Sequence, residues 1–321
     1  MSLNVFVTGG SGYIGSALCR MLSTLPYITG IKNYDIRESI EDNIINLTRL
    51  TQSMIEFKPY IVVHLAAVSS ITACNENVEE AIRINGIGTR NVLRAMEMSG
   101  CKHIIYASTS SVYGKSTKLP YKEKDIIKPY SAYGLSKLLG EHAMFNEYQK
   151  RKGGSYLIYR MFNVVGTSGF EDIDKKSHPG YDRLFGALES GNITIYGSDY
   201  LTRDGTCERD YIALKDVCEA YIRGIQYIKY GFRIREIFNI CTETPVSVKT
   251  MIEEWNKVNT SIGRKVNTKT GERREGDPAI VYGSGKKAQK LIYWKATIKV
   301  SDIIKDIQKD KKWIPTSTSL I

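Results

Sequence analysis

The run Gly9-Gly10-Ser11-Gly12-Tyr13-Ile14-Gly15 constrains this chain more than any other feature. It follows an apolar, β-rich run at residues 3–8 and precedes an apolar helical pattern at residues 16–23. The first glycine permits a tight turn, the middle one lets a diphosphate approach the backbone, and the third lets helix and strand pack closely. A diphosphate would then sit on the free amides at the helix start. This placement predicts a dinucleotide site built on Gly9, Gly12 and Gly15.

An acid follows the second predicted strand, residues 27–34, about 20 residues beyond the glycine loop. Asp35 can accept hydrogen bonds from the adenosine ribose and repel a 2′-phosphate, which favours NAD over NADP. Arg37 works against that preference, because an arginine close by could receive the phosphate. The next stretch is short. We predict a third strand at residues 43–45, followed by a helix at residues 47–57. Residues 35–37 are the alternative position for the third strand.

Strands and helices alternate through the rest of the first half. Buried strands are predicted at residues 61–67, 104–108 and 156–161, with helices at residues 78–98 and after the turn at residues 129–131. His64 is expected to be an interior histidine with its hydrogen bonds satisfied rather than a ligand. The alternation predicts an α/β fold with a Rossmann-type, doubly wound parallel sheet, whose ligands bind at the carboxyl ends of the strands.

The composition changes after Gly166. Residues 166–180 are rich in glycine and charge, which predicts a mobile loop. Short elements follow, with helices at residues 182–190, 216–227, 248–256 and 301–312 and strands at residues 193–196 and 237–240. The helix at 216–227 and the strand at 237–240 are expected to rejoin the first sheet. We therefore predict a cofactor domain of residues 1–165 plus about 209–243, and a smaller mixed α/β substrate-binding domain of about 166–208 plus 244–321.

Composition narrows the class of protein. The net charge of +11 is spread along the chain without an aromatic-interleaved basic stripe, so nucleic acid is not an expected partner and anionic ligands are. The six cysteines form no Cys-x-x-Cys pair and the four histidines are dispersed, which argues against a metal site. No apolar run approaches the roughly 20 residues of a membrane span. With no signal-peptide pattern at the start, we expect a cytoplasmic protein.

Tyr133 and Lys137 are four residues apart, one turn along the same helix face. A nearby ammonium favours ionisation of a phenol, so this tyrosine could accept a proton near neutral pH. The spacing alone is weak evidence, because a solvated helix pair has the same pattern. Its significance depends on the motifs before and after it.

Those motifs together resemble a known family. The glycine loop, Thr109-Ser110-Ser111-Val112-Tyr113-Gly114 and Tyr133-x-x-x-Lys137 have the order and spacing of the extended short-chain dehydrogenases that act on nucleotide sugars. In the second half, residues 195–200, 204–206, 209–212 and 273–277 resemble the UDP-hexose 4-epimerases. The resemblance covers residues 4–313, nearly the whole chain.

The resemblance implies roles for named residues. Tyr133 would take the proton of the sugar 4-hydroxyl, Lys137 would hold the nicotinamide ribose and lower the pKa of the tyrosine, and Thr109 would donate to the same sugar oxygen. The remaining contacts to NAD would be Gly9, Gly12, Tyr13, Ile14, Gly15, Asp35, Asn43, Ile44, Leu65, Ala66, Ala67, Asn85 and Ser108. The contacts to the UDP-sugar would be Thr109, Ser110, Ser111, Asn163, Tyr196, Arg209, Arg274, Asp277 and Val281.

The resemblance also implies an activity: 4-epimerisation of a UDP-hexose through a 4-keto intermediate, with tightly bound NAD and a homodimer. The small Val281 would admit N-acetylhexoses beside glucose and galactose. Dehydratases of the family carry a carboxylate where this chain has Ser110 and Ser111, which disfavours elimination. A UDP-glucuronate epimerase or decarboxylase, an NADPH-consuming reductase and a non-catalytic NAD-binding regulator are the alternatives.

Overall fold

The computed structural model of this chain describes residues 3–116, 118–150, 153–167, 184–260, 265–274 and 276–309. Within these residues the strands are β1 (Leu3–Thr8), β2 (Ile28–Tyr34), β3 (Ile61–His64), β4 (His103–Thr109), β5 (Ser155–Met161), β6 (Asn163–Val165), β7 (Asn192–Tyr196), β8 (Glu208–Ala213), β9 (Arg235–Ile240), β10 (Pro245–Ser247), β11 (Asn267–Gly271) and β12 (Ile280–Val281). The α-helices are α1 (Tyr13–Ser23), α2 (Leu47–Phe57), α3 (Ile71–Glu76), α4 (Val78–Ile82), α5 (Thr89–Ser99), α6 (Ala132–Lys150), α7 (Phe185–Ser190), α8 (Leu214–Lys229), α9 (Val248–Asn259), α10 (Lys286–Ile292) and α11 (Val300–Lys309).

A six-stranded parallel sheet in the order β2-β1-β3-β4-β5-β9 forms the first half of the molecule. The chain order reverses between β1 and β3, so a crevice opens there at the carboxyl ends of the strands. The predicted α/β fold with a doubly wound parallel sheet is confirmed. The prediction that the strand near residue 237 rejoins this sheet is also confirmed, because β9 is its edge strand.

Helices cover both faces of the sheet, which is why its strands are almost continuously apolar. Successive residues of β1 point to opposite faces: Phe6 packs with Leu50 of α2, and Val7 packs with Leu18 of α1. On the α1 face, α8 adds Ile225 to the same cluster. Each such fully buried side chain contributes roughly 1.5–3 kcal/mol, so these two layers hold the strand ends in place.

The second half is built around β8. Residues 208–210 of β8 pair with β10 on one side and, at residues 208 and 209, with β12 on the other. Residues 211–213 of β8 pair with β6. A separate pair, β7 and β11, lies nearby, and Phe185, Trp255 and Ile304 from three helices form the core of this half. β6 and β8 fall within the residues predicted for the cofactor domain, but their hydrogen bonds place them in the second sheet. The division into domains stays a prediction.

The predicted third strand at residues 43–45 is wrong. This segment is a turn before α2, and the alternative at residues 35–37 is a turn as well. The carbonyl groups of Ile44 and Ile45 accept hydrogen bonds of 3.1 Å from Asn91 Nδ2, and the buried Ile44 side chain lies close to Gly88. The apolar residues there fill the gap beside α5 instead of extending the sheet.

The helix predicted at residues 78–98 has three parts. α4 and α5 are joined by a π-helical turn at Arg83–Gly88, which contains the buried Asn85. Such turns are often found at functional sites. The loop predicted at residues 166–180 lies outside the described residues from 168 onwards. Of the helix predicted at residues 182–190, the last six residues form α7, and residues 182 and 183 lie outside the described residues. In the described part of the chain, no helix is long and apolar enough to cross a membrane.

Candidate active site

A cleft of about 1050 Å³ lies between the two halves of the molecule, at the carboxyl ends of the large sheet. Pockets for small ligands usually have volumes of roughly 300–1000 Å³, so this cleft is at the large end of the range. The predicted residues that line it are Gly9, Gly12, Tyr13, Ile14, Gly15, Asp35, Asn43, Ile44, Leu65, Ala66, Ala67, Ser108, Thr109, Ser110, Ser111, Tyr133, Lys137, Asn163, Tyr196, Arg209, Arg274, Asp277 and Val281.

The glycine loop forms a close-packed cradle at one end of the cleft. Gly9 has a φ of +74°, and a Cβ there would lie 2.6 Å from the Ala66 nitrogen. A Cβ on Gly15 would lie 2.1 Å from the Gly9 carbonyl oxygen, so α1 packs directly on the loop. Among the described residues, no side chain caps the N-terminus of α1. Amides at a helix start bind anions, which fits the diphosphate of a dinucleotide.

Asp35 stands beside this cradle at the end of β2. Its Oδ2 accepts a hydrogen bond of 3.0 Å from the Ser11 amide, and its Oδ1 accepts one of 2.9 Å from the Arg37 amide. Each carboxylate oxygen keeps a second lone pair for a ribose hydroxyl. Arg37 Nη1 donates to the Ser11 carbonyl at 3.0 Å, so the arginine that could favour a 2′-phosphate also lies at this end of the cleft.

Asn85 is the predicted site residue that does not line the cleft. Its Oδ1 accepts from the Val68 amide at 2.8 Å, and its Nδ2 donates to the Val68 carbonyl at 2.9 Å and to Ser136 Oγ at 2.8 Å. The side chain therefore connects the Val68 backbone, which lines the cleft, to Ser136 of α6, and its contact with NAD stays a prediction. His64 is an interior residue with both ring nitrogens hydrogen-bonded, to Thr8 and Thr89, as predicted.

Tyr133 and Lys137 lie on α6 facing the same cleft as the glycine loop. Burial raises the pKa of Tyr133 to about 12, although a hydrogen bond between Tyr133 and Thr109 counteracts this shift. Burial also lowers the pKa of Lys137 to about 7, with Cys74 and Glu141 opposing the change. In the protein alone, burial thus shifts the pKa of Tyr133 away from neutral pH, because desolvation disfavours the phenolate. The role of Lys137 in lowering this pKa stays a prediction.

The end of β4 brings hydroxyl groups to the same place. Thr109 Oγ1 accepts a hydrogen bond of 3.1 Å from the Ser111 amide and donates to Ser111 Oγ at 3.2 Å. Ser110 and Ser111 belong to a 3₁₀ turn that follows Thr109, and both line the cleft. The described residues include no group of three acidic, histidine or cysteine side chains placed to hold a metal ion.

Cationic and aromatic groups line the other end of the cleft. The guanidinium of Arg274 lies 4.0 Å from the centre of the Tyr196 ring. Arg209 Nη2 forms an ion pair with Asp277 Oδ1 at 2.9 Å, with 12% of the arginine side chain exposed. Both residues of this ion pair line the cleft. Arg273 points elsewhere and pairs with Asp199 at 2.8 Å.

Small, uncharged side chains line the cleft between its two ends. Val281 of β12 lies opposite Arg209 of β8 in the parallel register. Asn163 lies opposite Tyr211 through β6, and its side chain is exposed towards the cleft. Strand β8 thus contributes Arg209 and Tyr211 to the cleft and pairs with the two strands that contribute Val281 and Asn163.

Sequence reasoning missed several residues of the site. Val68, Tyr130, Cys207 and Pro278 also line the cleft, and Glu141 lies buried one turn beyond Lys137. The four-residue spacing of Lys137 and Glu141 could have indicated that both side chains lie on the same buried face of α6. The others come from turns, for which the sequence offers no periodicity.

Comparison with known proteins gives a consistent result. The model of the NAD dependent epimerase/dehydratase family matches residues 5–241. The chain is 30% identical to a UDP-glucose 4-epimerase of Lacticaseibacillus casei over 97% of this chain and 96% of that protein. It is 28% identical to the UDP-glucose 4-epimerase of Rhizobium meliloti over 91% of this chain and 92% of that protein.

Solved structures are similar over the whole molecule. UDP-glucose-4-epimerase from Stenotrophomonas maltophila, with bound NAD and formylated UDP-arabinopyranose, has a TM-score of 0.88 at 26% identity, covering 97% of this chain and 98% of that chain. UDP-glucose 4-epimerase from Brucella ovis, in complex with NAD, has a TM-score of 0.84 at 26% identity, covering 94% of this chain and 96% of that chain.

Proposed function

This chain belongs to the NAD dependent epimerase/dehydratase family, and from that premise we propose that it catalyses NAD-dependent 4-epimerisation of a UDP-hexose. One observation carries the proposal: a cleft that joins the glycine cradle, the Tyr133, Lys137 and Thr109 set, and an arginine-lined end. The cradle fits a dinucleotide diphosphate and the arginines fit a second diphosphate, because planar guanidinium groups pair with phosphate oxygens.

Tyr133 is the proton acceptor and donor of the reaction. It takes the proton of the sugar 4-hydroxyl and later returns it, while Thr109 donates a hydrogen bond to the same oxygen. When bound, NAD supplies the hydride acceptor and a positively charged ring, and it is unchanged overall because the hydride returns to the sugar. Lys137 holds the nicotinamide ribose and, when protonated, favours the phenolate of Tyr133.

The two ends of the substrate are held unequally. Arg274 and Arg209 bind the diphosphate, Tyr196 flanks the uracil ring, and Asp277 binds the uridine ribose. Asn163 holds the diphosphate side, and the neutral wall at Val281 makes few directional contacts with the hexose. A 4-keto sugar can therefore turn over between oxidation and reduction while its UDP end stays bound.

Elimination reactions are disfavoured at this site. A 4,6-dehydratase needs a carboxylic acid to protonate the leaving hydroxyl, and Ser110 and Ser111 occupy the positions beside Thr109. A hydroxyl has no acid strength near neutral pH comparable to a carboxyl group. The oxidation that Tyr133 begins is then simply reversed on the other face of the sugar.

The direct test is incubation of the purified protein with UDP-glucose and UDP-N-acetylglucosamine without added cofactor, followed by separation of the C4 epimers. We expect epimer formation from wild type and at least a hundredfold loss in Tyr133→Phe, about the effect of removing an acid–base group. No epimer from either sugar, with NAD found in the protein, contradicts the proposal. Steady consumption of added NADPH would favour a reductase.

We further propose a homodimer in which α6 and the preceding helical segment face a second copy. Leu135 and Leu139 are 44% and 39% exposed on α6, and Ile87 of the π-helical turn is 47% exposed. Such apolar side chains are typical of helix-to-helix interfaces. Leu139→Glu should lower the mass measured by light scattering to that of a monomer, whereas Ile126→Glu, at a scattered exposed position, should not.

We also propose that the protein is cytoplasmic. Its six cysteines are free thiols dispersed over both halves, a usage typical of reducing compartments. Cell fractionation checks this placement, and recovery with secreted or envelope proteins would contradict it.

A further inference from the structure

A buried ion pair lies directly beneath the catalytic residues. Glu141 of α6 and Arg160 of β5 each have 0% of the side chain exposed. Arg160 donates from Nε to Glu141 Oε1 at 2.9 Å and from Nη2 to Oε2 at 2.6 Å, a two-pronged geometry. Neither residue lines the cleft, so neither can contact the reacting atoms.

The pair joins three elements that each carry cleft residues. Ser108 Oγ of β4 donates to Glu141 Oε1 at 2.5 Å, and Ser108 precedes Thr109. Glu141 lies one helical turn beyond Lys137, on the same side of α6. Arg160 precedes Met161, which lines the cleft, and the Arg160 guanidinium lies 4.9 Å from the centre of the Tyr113 ring.

Two charges in such a place are a poor means of stabilisation. Desolvating a carboxylate and a guanidinium offsets most of their attraction, and apolar pairs of similar volume are often as stable. Charged hydrogen bonds do fix direction and distance, which apolar contacts do not. A geometrical role at the active site therefore explains this pair better than stability.

We propose that Glu141 and Arg160 are positioning residues of the epimerase reaction, which fix Lys137 and Thr109 relative to each other through Ser108. This inference rests on the proposed function. The carboxylate of Glu141 also keeps a negative charge one turn from Lys137. Burial lowers the pKa of Lys137, and Glu141 is one of the groups that oppose the shift.

Several titratable groups surround Lys137, so the contribution of Glu141 must be isolated. They are Cys74 on α3, His64 on β3, Tyr106 on β4, and Tyr133 and Glu141 on α6. His64 is neutral, because burial lowers its pKa to about 3. The change Glu141→Gln removes one charge from this set while keeping the shape of the side chain.

The first measurement is trace acetylation of the folded protein over a range of pH, with the Lys137 peptide quantified by mass spectrometry. The labelling rate reports the unprotonated amine, and no substrate is needed. In Glu141→Gln the midpoint should lie at lower pH than in wild type, because both the lost carboxylate and the unpaired Arg160 disfavour the ammonium. If this variant does not fold, Glu141→Gln with Arg160→Met removes both charges and should shift the midpoint in the same direction.

The second measurement is kcat and KM for UDP-glucose in folded protein. Glu141→Gln should lower kcat about 10- to 100-fold with KM little changed, as expected for a small misplacement of catalytic groups. Ser108→Ala should also lower kcat while leaving the Lys137 midpoint unchanged, since it breaks the link but keeps the charge.

Asp216→Asn is the matched control. Asp216 is a buried acid on α8 that accepts hydrogen bonds from the Thr297 and Ile298 amides, away from the cleft. It should lower thermal stability without changing kcat or the Lys137 midpoint. An unchanged Lys137 midpoint in Glu141→Gln, or an unchanged kcat with a stability loss like that of Asp216→Asn, overturns the inference. Absence of epimerase activity in wild type would instead contradict the proposed function, and the labelling result would remain interpretable.

Discussion

Burial of the charged Lys137 side chain should lower the free energy of unfolding of this protein, and the variant Lys137→Met tests this directly. The lysine is 3% exposed, and burial lowers its pKa from 10.5 to about 7. Below about pH 7 the side chain is charged in both folded and unfolded chains, so the folded state carries the full cost of burying the charge. Between about pH 7 and 10.5 the folded chain loses this proton while the unfolded chain keeps it, so the free energy of unfolding rises with pH.

The size of the effect follows from the same shift. The difference between 10.5 and about 7 is about 3.5 pH units, which at about 1.36 kcal/mol per unit gives an upper limit of about 5 kcal/mol. The methionine variant carries no such charge, so it should be the more stable protein at low pH by up to that amount. Its advantage should shrink as the pH rises above 7.

Urea unfolding of the cofactor-free proteins at a series of pH values measures this difference. Wild type should gain stability with rising pH relative to Lys137→Met. In a separate assay with NAD present, the variant should lack epimerase activity. A stability difference that stays constant from acidic to alkaline pH would refute the reasoning, because it would assign the difference to packing rather than to charge.

Three further variants test separate parts of the cleft. Gly12→Ala should fold normally but lose NAD, because a Cβ there meets only the Gly9 carbonyl oxygen at 3.2 Å and otherwise points into open space beside the cradle; retention of NAD in the purified variant would contradict this. Val281→Tyr should abolish turnover of N-acetylhexoses and spare UDP-glucose, whereas equal loss of both would refute a steric role. Arg274→Ala should raise KM for UDP-glucose about tenfold, the effect of losing one charged hydrogen bond, while Arg273→Ala, whose guanidinium is paired with Asp199, should leave KM unchanged.

The parts of the fold that the sequence predicts are those with local patterns. The glycine loop is defined by spacing within one turn, and strands such as β1 and β4 are short apolar runs that need both faces buried. The second sheet has no comparable signal. Its strands β6, β10 and β12 have two or three residues each, and each is a strand only because β8 lies beside it.

The errors at the site have similar causes. Residues 43–45 have the apolar composition of a strand, but the position of Asn91 on α5 determines where their carbonyl groups bond. The order of the surrounding motifs predicts that Tyr133 and Lys137 belong to the site, whereas their pKa values depend on how deeply the helix is buried. Asn85 bonds the Val68 backbone from a π-helical turn, a contact that the helical pattern of residues 78–98 does not indicate. Sequence spacing predicts which side chains lie close together, whereas their pKa values depend on burial in the folded protein.

The path of the chain between the two sheets affects how this protein can be divided. The chain leaves the large sheet after β5, builds β6 and β8 in the second sheet, and then returns to supply α8 and the edge strand β9. A fragment that stopped after β5 would expose the α1 surface that α8 covers and the edge of β5 that β9 pairs with. The half of the molecule that contains the large sheet is therefore not a detachable module. Exchange of substrate-binding segments between relatives would have to replace two separate stretches of sequence at once, with the junctions on either side of α8 and β9.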